Sequence, residues 1–309
     1  METGTVYPDV AVIIPTLNAE PWLGDLLGML ARQTLQPVEV LIIDSSSTDR
    51  TLDIAHAYGA RVVSIPREEF DHGGTRTLAA GMASASILVF MTQDAIPADV
   101  HALKRLVRPL SDARVAASYG RQLPRRDATL FSAHLRLFNY PPSSRLSCYE
   151  DRERLGFRTI FISNSFAAYQ RNVLIENGCF SSRLLFGEDT LAVAKLLENG
   201  YCVAYVSEAC VFHSHNYSIS QDIRRYFDIG VFHADQSGHL RAFGGPGNAG
   251  RKYVHSELAM IVRKKKYFLF PEFFLRNLGK YLAYQLGKKY HLLPQPLARK
   301  LSMNPGWWS

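Results

Sequence analysis

One uninterrupted apolar run constrains the fold of this chain more than any other feature. Residues 87–91 read Ile-Leu-Val-Phe-Met without alternation, and Asp94 follows shortly after them. Such runs are typical of strands buried on both faces, as in a parallel sheet, and in open α/β sheets ligands bind beyond the carboxyl ends of these strands. We therefore predict that Asp94 lies at a ligand crevice, where a carboxylate can hold a divalent cation. The alternative is a turn or capping residue, since Pro97 follows.

The first part of the chain alternates between strand-like and helix-like segments. Apolar runs predict strands, amphipathic spacing predicts helices, and a serine- and threonine-rich stretch predicts a helix start. The strands are 10–14, 38–43, 61–65 and 87–91, the helices are 20–32 and 75–84, and the helix start is 45–49. A repeat of ~20–25 residues between strands is typical of a Rossmann-like, mostly parallel sheet flanked by helices. The expected fold class is α/β.

Beyond residue 110 the pattern changes. Strands are predicted at 115–120, 165–169 and 201–212, a helix is predicted after Gly187, and 139–160 is predicted to be a long loop. The chain beyond 218 is expected to be mostly helical, with a break at the glycine- and proline-rich residues 244–247.

Charge and cysteine content narrow the class of protein. The net charge of +7 is uneven: twelve lysines and arginines but two acids follow residue 250, so that region is near +10 and the rest near −3. A basic surface of this kind suits nucleic acid, anionic lipid or an acidic substrate.

The four cysteines have no paired spacing, which predicts reduced thiols in a cytosolic protein. We expect no signal peptide and no membrane-spanning helix.

Polar side chains follow three of the predicted strands. They are Thr16, Asn18, Asp44, Ser46 and Asp94. Because parallel strands place their carboxyl ends together, these side chains are expected to converge. The chain has no GxGxxG after its first strand and no P-loop, which argues against an ordinary dinucleotide site. Asp44 is predicted either to bind a base or ribose or to cap the next helix, and both interpretations stay open.

A series of motifs resembles the family 2 glycosyltransferases of the GT-A fold. The motifs are Ile13–Asn18, Ile43–Asp49, Thr92–Ala95 and Gly187–Asp189. Three further stretches, Phe70–Arg76, Phe161–Phe166 and His213–Tyr217, are similar to the bacterial rhamnosyltransferase branch, which uses dTDP-L-rhamnose. The resemblance implies a catalytic domain over 1–217, with a nucleotide-sugar half at about 8–110 and an acceptor half at about 111–217. A helical, basic C-terminal region, 218–309, follows.

The resemblance also implies roles for individual residues. Thr16, Asn18, Asp44 and Ser46 would line the nucleoside pocket, Asp71, Gln93 and Asp94 would bind the nucleotide sugar, and Arg76 would lie on its phosphate. Asp94 matches the last residue of the DxD motif, but Thr92 replaces the first acid. His213 or His215 is therefore expected to complete the site of a divalent cation, Mn²⁺ or Mg²⁺, because residues two apart in extended chain point the same way.

Asp189 matches the catalytic base of the family. A carboxylate can take the proton of an acceptor hydroxyl as that oxygen attacks the anomeric carbon. The competing interpretation is that Glu188 and Asp189 merely place negative charge at a helix N-terminus.

The leading hypothesis is an inverting glycosyltransferase that moves L-rhamnose from dTDP-L-rhamnose to a saccharide or lipid-linked acceptor in bacterial surface polysaccharide synthesis. A family member that uses another sugar nucleotide, such as a UDP-hexose, is one alternative. A non-catalytic protein that binds nucleotide sugar or nucleic acid is another, and we expect no nucleic-acid partner.

The basic tail is open to two interpretations. A helix around 271–289 is either packed on the catalytic domain with its basic face in solvent, or rests on anionic lipid. The expected location is cytoplasmic, with peripheral contact at the inner face of the membrane.

Overall fold

The computed structural model describes residues 8–244 and 249–308, and residues 245–248 of the predicted glycine break lie outside the described residues. The strands are β1 (Val10–Thr16), β2 (Glu39–Asp44), β3 (Arg61–Ser64), β4 (Ile87–Met91), β5 (Ile96–Pro97), β6 (Val115–Leu123), β7 (Arg145–Ser147), β8 (Phe166–Gln170) and β9 (Cys202–Phe212). They form one sheet in the order β3-β2-β1-β4-β8-β6-β9-β5, with β7 paired to β9.

Helices cover both faces of this sheet and continue to the C-terminus. They are α1 (Glu20–Leu30), α2 (Thr51–Ala57), α3 (His72–Met82), α4 (Ala102–Val107), α5 (Leu130–Asn139), α6 (Arg152–Leu155), α7 (Arg171–Glu176), α8 (Glu188–Glu198), α9 (Ile219–Asp235), α10 (Ser237–Leu240), α11 (Ala249–Arg263), α12 (Phe270–Gly287) and α13 (Gln295–Leu301).

The central strand β4 is apolar throughout because both of its faces are buried. Leu88 and Phe90 pack into one hydrophobic core, and Ile87, Val89 and Met91 pack into the core on the other face of the sheet. A strand between two apolar layers cannot alternate between apolar and polar residues. The prediction that the run 87–91 is a doubly buried strand is confirmed.

The directions of the strands bring several carboxyl ends to one edge. β1 runs parallel to β2 and β4, β4 and β6 are each antiparallel to β8, and β9 is parallel to β6. It follows that β1, β2, β4, β6 and β9 all end at the same edge, where β8 begins. The sheet is therefore mixed, but the segments that follow six strands lie at this edge, since β3 is parallel to β2 and also ends there.

Two expectations about the middle of the chain are wrong. Residues 139–160 are not one long loop, because they contain β7 and α6. The three residues of β7 pair with β9. A strand as short as β7 shows no alternation in the sequence. This pairing brings Cys148 beside Cys202, and the two form a disulfide, so the expectation that all four cysteines are reduced is the second that is wrong. Cys179 and Cys210 are free thiols.

Helix α12 presents its polar and apolar residues in an unexpected way. Arg276 and Lys280 are buried, whereas Phe274, Leu278 and Tyr281 are about three-fifths exposed. The buried cations contact Asp222 of α9, at 2.5 Å for Arg276 and 3.4 Å for Lys280. The expectation of a solvated basic face is wrong for these two residues. No helix in the described ranges is long and apolar enough to cross a bilayer.

Candidate active site

Asp94, His213 and His215 form a cluster at the shared carboxyl edge. His213 Nε2 lies 3.4 Å from Asp94 Oδ1, and His215 Nδ1 lies 3.9 Å from Asp94 Oδ2. One ligand atom from each residue lies within 4.8 Å of the other two. Two ligands at right angles around a cation at about 2.1 Å would be about 3 Å apart, so the cluster is close to the spacing of a cation site.

Strand pairing explains why residues so distant in sequence meet. β5 follows Asp94 and pairs antiparallel with the end of β9, so that Ile96 lies opposite Phe212. His213 comes next in the chain, and its backbone N–H donates to the carbonyl of Leu123 at the end of β6. Asp94 is thus held beside His213 by backbone hydrogen bonds on both sides.

A hydrogen-bond chain behind His213 sets its tautomer. Arg136 donates from Nη1 to Gln122 Oε1 at 2.8 Å, and His213 Nδ1 lies 2.9 Å from the same oxygen. Because a guanidinium can only donate, that Gln122 atom must be the acceptor oxygen, and His213 Nδ1 must carry the proton. In the neutral imidazole, Nε2 then presents a lone pair toward Asp94, which leaves two electron-rich atoms facing each other.

The protonation states of the three residues suit a cation. Burial raises the pKa of Asp94, but a protonated His213 would donate to this carboxylate and add positive charge, and this outweighs burial and holds the pKa of Asp94 well below its usual range. Burial lowers the pKa of both imidazoles, that of His215 to about 4. An ionised carboxylate and neutral imidazoles are the forms that bind metal ions, so the residues fit Mn²⁺ or Mg²⁺.

The predicted nucleoside residues fall into a buried pair and an exposed pair. Thr16 donates to Asp44 at 2.9 Å, and both are buried. Asp44 also accepts from the backbone N–H of Ser47 in the loop before α2, so it does not cap that helix, whose N-cap is Arg50. Asn18 and Ser46 are exposed and have positive φ angles of 49° and 61°. The exposed pair is accessible to a ligand, whereas the buried pair holds the loop that carries it.

Gln93 joins this loop to the cation cluster. Its Oε1 accepts from the backbone N–H of Leu17 at 2.8 Å, and its Nε2 donates to the Leu17 carbonyl at 3.1 Å. A side-chain amide that satisfies both backbone groups of one residue fixes the loop after β1 against the segment that contains Asp94.

Asp71 and Arg76 lie on α3, which the structure connects to α8. Asp71 caps α3 by accepting from the N–H of Gly74 at 2.6 Å. Arg76 is buried, and its Nη1 lies 2.6 Å from Glu188 Oε1. Breaking a buried ion pair of this kind is costly. Arg76 therefore stabilises the first turn of α8 through Glu188.

Asp189 lies at the start of α8, beside the amino end of β8. Its Oδ2 accepts from the N–H of Asn164 at 3.2 Å, and its Oδ1 accepts from the N–H of Thr190 at 2.7 Å. Burial, and after it the charge of Glu188, raises the pKa of Asp189 from its ordinary value of 3.8 to about 7. A carboxylate with such a pKa is well matched to proton transfer near neutral pH.

The glycine before α8 positions this first turn. Gly187 has a φ of +80°, and a Cβ there would lie 2.5 Å from the ring of Phe232 on α9. Only glycine satisfies both the left-handed backbone and this close approach. Sequence reasoning also missed Gln122, Arg136 and Arg225, because they lie inside regular elements and belong to no motif used for prediction.

Comparison with known proteins agrees with this geometry. Residues 11–178 match the model described as glycosyl transferase family 2. The chain is 41% identical over 302 residues to the O-antigen chain rhamnosyltransferase RfbN of Salmonella typhimurium. The alignment covers 97% of this chain and 96% of that relative. It is 40% identical over 305 residues to WbaN, an O-antigen chain rhamnosyltransferase of Salmonella anatum, with coverage of 98% and 96%.

A solved structure shares the fold. It is the mannosyltransferase PcManGT from Pyrobaculum calidifontis in complex with GDP-Man and Mn²⁺, which aligns with a TM-score of 0.63 and 17% identity over 94% of this chain and 89% of that one. The predicted α/β, GT-A fold class is confirmed, and the chain is a glycosyltransferase that belongs to glycosyl transferase family 2.

Proposed function

We propose that this enzyme transfers L-rhamnose, with inversion, from dTDP-L-rhamnose to a saccharide or lipid-linked glycan acceptor in O-antigen synthesis. The observation that carries the proposal is the identity of 41% and 40% to two O-antigen chain rhamnosyltransferases over nearly the whole chain. The choice of thymidine nucleotide rests on the resemblance of the motifs Phe70–Arg76 and His213–Tyr217.

The edge of the sheet offers a place for each part of the donor. Asn18 and Ser46 are exposed on the loops after β1 and β2 and are proposed to face the nucleoside. Asp94, His213 and His215 are proposed to hold a divalent cation. When bound, that cation would neutralise negative charge on the leaving diphosphate.

Asp189 is proposed as the general base. Its carboxylate would take the proton of the acceptor hydroxyl while that oxygen bonds to the anomeric carbon and the bond to the diphosphate oxygen breaks. The backbone N–H groups of Asn164 and Thr190 hold the carboxylate in place. A single displacement of this kind inverts the anomeric centre.

A donor panel tests the sugar and the nucleotide. Turnover is measured with dTDP-L-rhamnose, UDP-hexoses and GDP-mannose on a fixed lipid-linked acceptor. The fastest transfer is expected from dTDP-L-rhamnose. Discrimination against the uridine analogue is expected to be modest, because a methyl group contributes about 1–3 kcal/mol. Faster transfer from a UDP-hexose would overturn the donor assignment and leave the family unchanged.

We also propose that α12 rests on an anionic membrane. Its outward face is apolar: Phe274, Leu278 and Tyr281 are 63%, 59% and 60% exposed. Exposed lysines lie at both ends of the helix, at 264–266 and 288–289. Apolar residues between basic clusters match an interface of acyl chains and anionic head groups, and each lysine near such a surface contributes about 1 kcal/mol.

Vesicle flotation tests the membrane proposal. The enzyme is expected to float with phosphatidylcholine vesicles that contain phosphatidylglycerol, and less in high salt. Leu278→Glu should reduce flotation, whereas Val38→Glu, a comparable change at a residue that is 65% exposed just before β2, should not. Equal flotation of both variants, or a stable dimer that buries α12 in sedimentation, would contradict the proposal.

A further inference from the structure

Two arginines lie beside the cation cluster without an acidic partner. Arg136 on α5 donates to Gln122, and its Nε is buried without a hydrogen bond. Arg225 on α9 has no salt bridge or hydrogen bond within the residues that the structure describes. Arg136 is linked to His213 through Gln122, and Arg225 lies over the ring of Tyr217, which stacks on the ring of His215. The two guanidinium groups therefore flank the same site.

This arrangement is unfavourable without an anion. Two like charges repel each other, and a guanidinium withdrawn from water is stabilised when it pairs with an acid or a phosphate. The two buried arginines among the described residues obey this rule, since Arg76 pairs with Glu188 and Arg276 with Asp222. Among the described residues, neither Arg136 nor Arg225 forms an ion pair with an acid, although the charge of Asp94 acts on Arg136 and that of Asp228 on Arg225.

We propose that Arg136 and Arg225 bind the diphosphate of the sugar nucleotide, on the side of the cation cluster formed by α5 and α9. The inference rests on the proposed function and assigns the phosphate contact to residues outside the donor motifs. Arg76, which the resemblance placed on phosphate, is engaged by Glu188 at 2.6 Å.

The surroundings of Arg225 suit this role. Its guanidinium carbon lies 5.2 Å from the ring centre of Phe186 and 5.7 Å from that of Tyr217. Aromatic contacts of this kind hold a guanidinium while its N–H groups stay free to donate. Arginine can bind phosphate through two parallel hydrogen bonds, which a lysine cannot reproduce.

The test compares nucleotides that differ by one phosphate. The affinity of the enzyme for dTDP and for dTMP is measured by calorimetry in Mn²⁺, and the ratio isolates contacts with the second phosphate. Arg225→Gln is expected to reduce this ratio by about 10- to 100-fold, since a hydrogen bond to a charged group contributes about 1.5–3 kcal/mol. Arg224→Gln is the matched control, because Arg224 is the adjacent residue and is exposed.

The outcomes separate this inference from the proposed donor. An unchanged dTDP to dTMP ratio in Arg225→Gln overturns the inference, as does an effect limited to the KM of a pyrophosphate-linked acceptor. Tight binding of UDP rather than dTDP by the parent enzyme overturns the donor, and the UDP to UMP ratio then tests the arginine. If Arg225→Gln fails to fold, Arg225→Lys is measured instead. It keeps the charge and is expected to lower the ratio of the affinities for dTDP and dTMP by a smaller factor. Arg136 is the poorer test because it also orients Gln122.

Discussion

Replacing Asp189 by asparagine tests the proposed chemistry most directly. Asparagine keeps the size of the side chain, and its single oxygen can still accept from Asn164 or from Thr190, which donate to different oxygens of the carboxylate, but it cannot take a proton. Loss of a general base lowers the rate by about 10²–10⁴. Since the nucleotide contacts lie on other strands, the affinity for dTDP should be unchanged. We expect kcat to fall within this range, as measured by rhamnose transfer at saturating donor.

The pH dependence supplies a second readout. Because the pKa of Asp189 is raised to about 7, the base is ionised only above that pH. The kcat of the parent should therefore rise with pH through about 7 and level off. Asp189→Asn should lose this rise, and Asp53→Asn, at an exposed acid of α2, should keep it.

Stability should change in the opposite direction to activity. Between about pH 4 and pH 7 the folded protein keeps a proton on Asp189 that the unfolded chain releases. The free energy of unfolding of the parent therefore falls as the pH rises through this window, by a few kcal/mol at most. Asparagine does not titrate and has no such loss. The thermal midpoint of Asp189→Asn minus that of the parent should therefore be more positive at pH 8 than at pH 4. Parent-like transfer with a parent-like pH profile in this variant would refute the assignment of the base.

Three further changes test the surroundings of the site. Asp94→Ala should abolish Mn²⁺-dependent binding of dTDP in calorimetry while circular dichroism stays unchanged; metal-dependent affinity equal to the parent would count against the cation site. Glu188→Gln should move the midpoint of the pH–rate profile to lower pH, because it removes a negative charge that raises the pKa of Asp189; a shift to higher pH would contradict this electrostatic account. Gly187→Ala should lower the thermal midpoint more than Gly200→Ala, since both have positive φ but only the first places a Cβ against a ring; equal losses would argue that the close approach does not matter.

The sequence predicted the nucleotide-sugar half of the fold better than the rest. Strands such as β4 are unbroken apolar runs, and the absence of alternation indicates burial on both faces. β7 has three residues and depends on its partner β9, so local pattern could not identify it. The pairing of Cys148 with Cys202 escaped prediction for the same reason, because it follows from that strand pairing.

The sequence predicted the site residues that lie in motifs, but not the residues that orient them. Asp94, His213 and Asp189 stand at element ends, where motif and topology coincide. Gln122 and Arg136 act through a hydrogen-bond chain between β6 and α5 that no spacing in the sequence encodes. The orientation of α12 was also beyond prediction, because its buried cations need the carboxylate of Asp222 on another helix.

The contact between Gly187 and Phe232 limits how this enzyme can be recombined with its relatives. A chimera joined near residue 217 would place α9 of one enzyme against the α8 start of another. The incoming helix would have to supply both a ring that clears Gly187 and an arginine between Phe186 and Tyr217. A junction after Gly244, where α9 and α10 have ended, would keep these contacts within one parent. The same junction would separate α9 from α12, so an incoming α12 would have to supply the two cations that contact Asp222 and a glycine where Gly287 approaches Phe227. Exchange of acceptor or membrane preference between family members is therefore expected to succeed only where these contacts between α9 and α12 are also matched.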